Sequence, residues 1–158
     1  RAHLHLAEQS KEHSAHRIYR AVCVGNIKED EGTIDLPIGR HPTERLKMAV
    51  LPEGKGKLAI TDFEVVARFG ADFTLCKFDL QTGRTHQIRV QMAGISHPVF
   101  GDMRYGGALA QKGKLALWAY SLSFSHPITK ERLKFIAYPP ETEMPWKAFD
   151  LSKAVEIK

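Results

Sequence analysis

The stretch from Phe73 to Met92 changes its period once, and that change limits the folds open to the chain. Phe73-Thr74-Leu75-Cys76-Lys77-Phe78-Asp79-Leu80 runs at strand period and is rich in strand formers. Gln81-Thr82-Gly83 is a tight turn. The residues after it read as the polar start of a helix, helical from Thr85 to about Ala93 and stopping near Gly94. Leu58 to Phe69 is the natural hairpin partner of the strand, across Gly70-Ala71-Asp72. A hairpin that hands over to a helix belongs to a sheet with a helix packed on it. Arg84 and Arg89 sit at the entrance of that helix, where backbone N–H groups already point outward. They make a site for an anion, either a phosphate or a catalytic carboxylate.

The other elements extend the same pattern. Arg1 to about Ser14 reads as a helix with a weak apolar stripe, or as the end of a longer one. Ile18 to Val24 is a strand that stops at Gly25-Asn26, and Thr33 to Leu36 is a short strand. Ile38 to Lys47 is a basic loop leading into the strand Met48 to Leu51. Pro52 to Lys57 is a polar turn, and Ser96 to Gly107 is a loop rich in turn residues. Leu115 to Phe124 is a strand whose start is open to a short helix, and Arg132 to Ala137 pairs back onto it. Pro145 to Phe149 is a short terminal helix or cap. About eight strands, mostly hairpin-joined, with two or three helices predict an α+β fold: a mainly antiparallel sheet with a few flanking helices.

A chain of 158 residues, 43% of them hydrophobic, can bury a real core. Its formal net charge of +5 favours a polyanionic partner, nucleic acid first among them. Cys23 and Cys76 each lie in an apolar run and read as buried free thiols of a cytoplasmic protein. No run reaches the length of a membrane span, and none resembles a signal peptide. His3, His5, His13 and His16 read as solvated helix surface rather than metal ligands, because no recognised ligand pattern surrounds them. The first methionine is Met48, so the chain reads as part of a longer protein.

Five segments, in order, carry a family resemblance. Gly83-Arg84-Thr85-His86-Gln87-Ile88-Arg89-Val90 resembles the G-R-[TS]-H-Q-[IL]-R-V signature of the RNA pseudouridine synthases, in the branch typified by RluA, RluC and RluD. His97 to Asp102 with Tyr105-Gly106 resembles that family's H-P-[IV]-x-G-D-x-x-Y-G. Arg17 to Val22 resembles its [KR]-x-Y-x-A-V strand, and Gly39 to Met48 its R-H-P-x-x-R-x-K-M loop. Leu115 to Tyr120 with His126-Pro127 resembles its L-A-L-H-A segment, with Trp118 where histidine is usual.

The resemblance implies a pseudouridine synthase-like catalytic domain that isomerises uridines, in large-subunit ribosomal RNA, with no metal and no cofactor. It implies a cytoplasmic monomer. Arg89 is implied to pair with the catalytic aspartate, which needs a cation beside RNA phosphates to stay ionised. Ile88 is implied to pack against the flipped uracil. Tyr19 is implied to stack on the base and to assist proton removal from C5. Arg84, Thr85 and His86 are expected at phosphates or in support of the loop, and Arg40, His41, Arg45 and Lys47 as a basic grip on the RNA.

The family's catalytic aspartate lies in a block like H-R-L-D-x-x-T-S-G, and no aspartate of this chain has that context. Residues 1–158 are therefore expected to be the C-terminal portion of one catalytic domain, cut short upstream and inactive alone. Asp102 reads as a cap for backbone N–H groups in its turn, not as a substitute nucleophile. A non-catalytic RNA-binding module with the same fold is the alternative.

Overall fold

The computed structural model describes residues 16–137 and 145–146. The expected opening helix, with His3, His5 and His13, lies outside the described residues, as do residues 147–149 of the expected terminal cap. The described chain runs β1 (His16–Val24), β2 (Glu31–Asp35), β3 (Ile38–Arg40), β4 (Met48–Val50), β5 (Ile60–Phe69), β6 (Phe73–Leu80), α1 (Gln87–Gly94), a 3₁₀ turn (Gly107–Leu109), β7 (Leu117–Ser125) and β8 (Arg132–Ile136). Six strands form one sheet in the order β2-β5-β6-β1-β7-β8, antiparallel at every neighbour. This is the α+β class the hairpin pattern predicts.

β1 lies in the middle of the sheet and is covered on both faces. Its run Ala21-Val22-Cys23 is wholly buried, as an uninterrupted apolar strand requires. Ala21 and Cys23 join Cys76, Phe78, Ile88, Met92 and Val99 in the core beneath α1. Val22 points the other way, into a second core with Leu75, Ala116 and Trp146. Both cysteines are free and buried. The hydrogen bond from Cys76, together with burial, holds the Cys23 thiol well above its ordinary value, so it stays neutral.

Three expectations need correcting. His16 opens β1 rather than ending a helix. Ile38 to Arg40 is not loop but a strand paired with β4, in register Ile38↔Val50 to Arg40↔Met48. Leu115-Ala116 is extended chain leading into β7, not a helical turn.

The helix begins two residues later than its sequence predicts, and the cause is local. His86 has φ 55, in the left-handed region, so it stands outside the helix as the N-cap. The turn before it is built on Gln87. Its Oε1 accepts hydrogen bonds from the Thr82 hydroxyl (2.8 Å) and the Arg84 N–H (3.0 Å). Its Nε2 donates to Ile60 O (3.1 Å) and to Thr61 Oγ1 (2.7 Å). One turn on, Gln91 accepts from the Thr61 hydroxyl (2.6 Å) and donates to Leu36 O and Ala59 O. Both glutamines are buried. Residues four apart share a helix face, so the pair latches α1 onto β5 at two heights.

Candidate active site

Tyr19, Arg84, His86, Ile88 and Arg89 come together around one pocket of about 260 Å³, closed on its apolar side by Leu80, Leu115 and Leu117. That is near the small end of ligand pockets, which hold about 300–1,000 Å³, and it suits one base rather than a stretch of strand. Tyr19 reaches it from β1 at an irregularity. Ile18 pairs with Ser121 while Tyr19 pairs with Ala119, so β7 carries one extra residue there, the usual device for re-aiming a side chain. Ile88 and Arg89 come from the first turn of α1. Arg84 is fixed by its Nε–H to Leu58 O (2.9 Å).

Arg89 has a carboxylate within this chain. Its Nε and Nη2 donate to Asp102 Oδ2 and Oδ1, each at 2.9 Å. Asp102 Oδ1 also accepts the Tyr105 N–H (3.1 Å). The turn role expected for Asp102 is therefore present, and a bidentate ion pair is added to it. Asp102 is 1% exposed, which bars it from reaching a substrate. Burial alone pushes its carboxyl up. The Arg89 hydrogen bonds, the Tyr105 N–H, the Arg89 charge and the Arg104 N–H outweigh that and hold it below its ordinary value. Arg89 itself is held above its ordinary value, chiefly by the Asp102 hydrogen bonds, and stays protonated. Only two of its five N–H donors go to Asp102, which leaves the rest of the fork available to a second carboxylate.

A carboxylate with a depressed folded value stabilises the fold above the unfolded value and loses that contribution as pH falls through the folded one. Stability should thus begin to fall below about pH 4, where an unfolded aspartate takes up its proton. In an acid titration followed by circular dichroism, Asp102→Asn should start lower and fall less steeply. An unchanged slope would contradict the assignment.

The remaining expected residues fall in two places. Thr85 is exposed and stands apart from the pocket lining. Arg40 ends β3, and His41, Arg45 and Lys47 belong to the loop that joins it to β4. Glu44 partly neutralises that loop, pairing with Lys47 Nζ at 3.2 Å and lying 3.7 Å from His41 Nε2. Arg40 donates to Arg45 O (3.3 Å), and both arginines are exposed.

One residue that the sequence left without a role ties these parts together. The Tyr105 hydroxyl accepts the Met48 N–H at the end of the basic loop (3.1 Å) and lies 2.8 Å from His86 Nδ1. The Arg89 guanidinium lies over its ring, 5.1 Å from the centroid. Its place in the G-D-x-x-Y-G motif was the only signal for it.

Fold and site together define an α+β domain in which a half-buried arginine, paired with a buried carboxylate, opens onto a base-sized pocket beside a basic hairpin. Residues 1–94 match the family described as RNA pseudouridylate synthase. The chain is 40% identical over 155 residues to the uncharacterized RNA pseudouridine synthase YjbO of Bacillus subtilis, covering 98% of this chain and 51% of that protein. It is 41% identical over 154 residues to the ribosomal large subunit pseudouridine synthase D of Pseudomonas aeruginosa, covering 89% of this chain and 47% of that one. The solved human RNA pseudouridylate synthase domain containing 1 superposes with a TM-score of 0.75 at 28% identity, over 86% of this chain and 59% of that one. The chain belongs to the RNA pseudouridine synthase family, and it spans about half the length of the curated relatives it matches.

Among the described residues, no helix is long and apolar enough to cross a membrane, and no group of three His, Cys, Asp or Glu is placed to hold a metal ion.

Proposed function

We propose that the protein to which this chain belongs converts uridine in RNA to pseudouridine, with large-subunit ribosomal RNA as substrate, acting as a cytoplasmic monomer without metal or cofactor. The observation that carries the reading is the convergence of Tyr19, Ile88 and Arg89, from two separate elements, on one base-sized pocket. The reaction breaks the N1–C1′ bond of the nucleoside, turns the base, joins C5 to C1′ and removes the proton from C5 while N1 takes one up, so the product is an isomer of the substrate. Arg89 holds the catalytic carboxylate ionised, Ile88 packs against the extruded uracil, and Tyr19 stacks on it and assists the loss of the C5 proton. None of the described residues lining the pocket is acidic, and Asp102 is buried against Arg89. The attacking carboxylate is therefore assigned to the part of the relatives' length that residues 1–158 do not span, and this stretch alone is expected to be inactive.

RNA is held by phosphate contacts from Arg84 and His86 at the pocket wall, from Thr85 beside them, and from the hairpin residues Arg40, His41, Arg45 and Lys47. Replacing both Arg40 and Arg45 by alanine should weaken RNA binding and lower the salt dependence of log K by about 1 for each phosphate no longer neutralised. Both side chains are exposed, so folding stability should stay within about 0.5 kcal/mol. Binding titrations at several salt concentrations check this.

The full-length protein incubated with a large-subunit ribosomal RNA transcript tests the reaction. Pseudouridine at a defined position is the expected product. Tight binding without any conversion would instead identify an RNA-binding module built on the same fold.

A further inference from the structure

The hydrogen bonds around Tyr105 fix more than a position. A tyrosine hydroxyl has one hydrogen to give and lone pairs that accept. The Met48 N–H, donated at 3.1 Å, occupies an acceptor position on Tyr105 Oη. His86 Nδ1, at 2.8 Å, is the other partner that the described residues offer. Were Nδ1 to carry a proton and donate it, the oxygen would accept twice and its own hydrogen would have no described acceptor. A half-buried hydroxyl left in that state costs free energy. The arrangement that satisfies every group has the Tyr105 O–H donating to His86 Nδ1.

A neutral imidazole that accepts at Nδ1 carries its proton on Nε2. His86 lines the pocket, and no described residue hydrogen-bonds its Nε2. The charged groups that face the ring are Arg89, Arg104 and Asp102. Burial first, then the two arginines, hold the imidazole below its ordinary value, with Asp102 opposing them. That direction favours the neutral ring at pH 7, which lies above the ordinary histidine value.

We infer that His86 is a neutral, tautomer-fixed Nε2–H donor aimed at an acceptor oxygen of the nucleotide in the pocket, and that Tyr105 is the positioning residue that sets it. Tyr105 does this while its ring lies beneath the Arg89 guanidinium and its own N–H holds Asp102. One side chain thus aligns the donor, the arginine and the end of the basic hairpin. The left-handed backbone of His86 serves the same end by holding the ring out of the helix and against Tyr105, 5.5 Å centroid to centroid at 70°.

The nature of the ligand rests on the uridine reading; the tautomer does not. Long-range ¹H–¹⁵N correlation spectra of the full-length protein, labelled with ¹⁵N-histidine, read the tautomer without RNA. The wild type should show His86 with a protonated Nε2 and an unprotonated Nδ1 at pH 7. Tyr105→Phe should convert that signal to a tautomer mixture while the other histidine signals keep their positions. A protonated Nδ1 in the wild type, or an unchanged tautomer in Tyr105→Phe, would overturn the inference.

Two substitutions at His86 separate the donor from the backbone. Asparagine tolerates the left-handed conformation well, but its amide reaches only as far as Nδ1. Glutamine suits that backbone less well, yet its amide reaches the Nε2 position. His86→Gln should keep at least tenfold more RNA affinity and turnover than His86→Asn. Equal or better function in His86→Asn would show that only the turn geometry matters. Absence of isomerisation in the wild type would defeat the uridine reading while leaving the tautomer measurement intact.

Discussion

Arg89→Ala should take uridine isomerisation by the full-length protein down by at least about 10²–10³-fold, the loss typical of removing one preorganised charge partner. The same substitution strips Asp102 of its bidentate partner. Asp102 is buried, and breaking a buried pair from one side costs about 3–5 kcal/mol. Lost activity and lost stability would then be confounded, so the pair must be taken apart. In Arg89→Ala with Asp102→Ala no buried charge is stranded, and stability should recover relative to Arg89→Ala alone while activity stays absent. Arg89→Lys keeps the charge but loses the planar fork that meets two carboxylate oxygens at 2.9 Å. It should recover more stability than turnover. Wild-type rates in Arg89→Ala would remove the arginine from the mechanism.

Gly101→Ala should be the most damaging small change in the chain, with more than about 4 kcal/mol lost, a size that needs a specific structural cause. The cause is visible. Gly101 has φ +80, and a Cβ there would run into the Lys114 carbonyl oxygen and lie 2.5 Å from Lys114 C and 2.8 Å from Gly113 O. These are backbone atoms, which cannot swing aside as a side-chain end can. The next residue is Asp102, so any shift of the turn also moves the partner of Arg89. Gly70→Ala is the control. Its φ is +55 with nothing within 4 Å of the added carbon, so it should cost only about 1–2 kcal/mol of left-handed strain. Denaturant unfolding of the two variants should differ by at least twofold in lost free energy. Equal losses would show that close packing around Gly101 matters no more than its φ.

Gly83→Ala, in the signature itself, should be milder than Gly101→Ala. The added carbon meets the guanidinium of Arg17, the mobile end of a long side chain.

The strands were legible where they were long. Phe73 to Leu80 is read from the sequence with the same ends the structure gives it, because eight residues suffice to show period two. β4 is read one residue too long, as Met48 to Leu51, whereas β3 has three residues, too few to show any period, and reads as part of the basic loop. The pocket residues were legible through motif resemblance rather than through pattern. Tyr19 lies on β1 and Ile88 and Arg89 on α1, and no local rule brings the two elements together.

What stayed hidden is tertiary. Asp102 was legible as a turn cap from its spacing to Tyr105, but its pairing with Arg89 joins two motifs that meet only in the fold. Nothing in the sequence sets Gln87 and Gln91 apart within the helix they belong to. They are buried because the ends of neighbouring strands leave carbonyls at Ile60, Leu36 and Ala59 for them to satisfy. A polar residue facing a sheet edge cannot be told from one facing water until the edge is in place.

Under the proposed function this pocket serves uridine isomerisation in ribosomal RNA. Mapping pseudouridines across the large-subunit RNA of cells lacking the protein, then of the same cells supplied with wild type or with Arg89→Ala, tests it most directly. One or a few positions should lose the modification, regain it with the wild type and stay unmodified with Arg89→Ala. An unchanged pseudouridine map in the cells lacking the protein, or full restoration by Arg89→Ala, would contradict it.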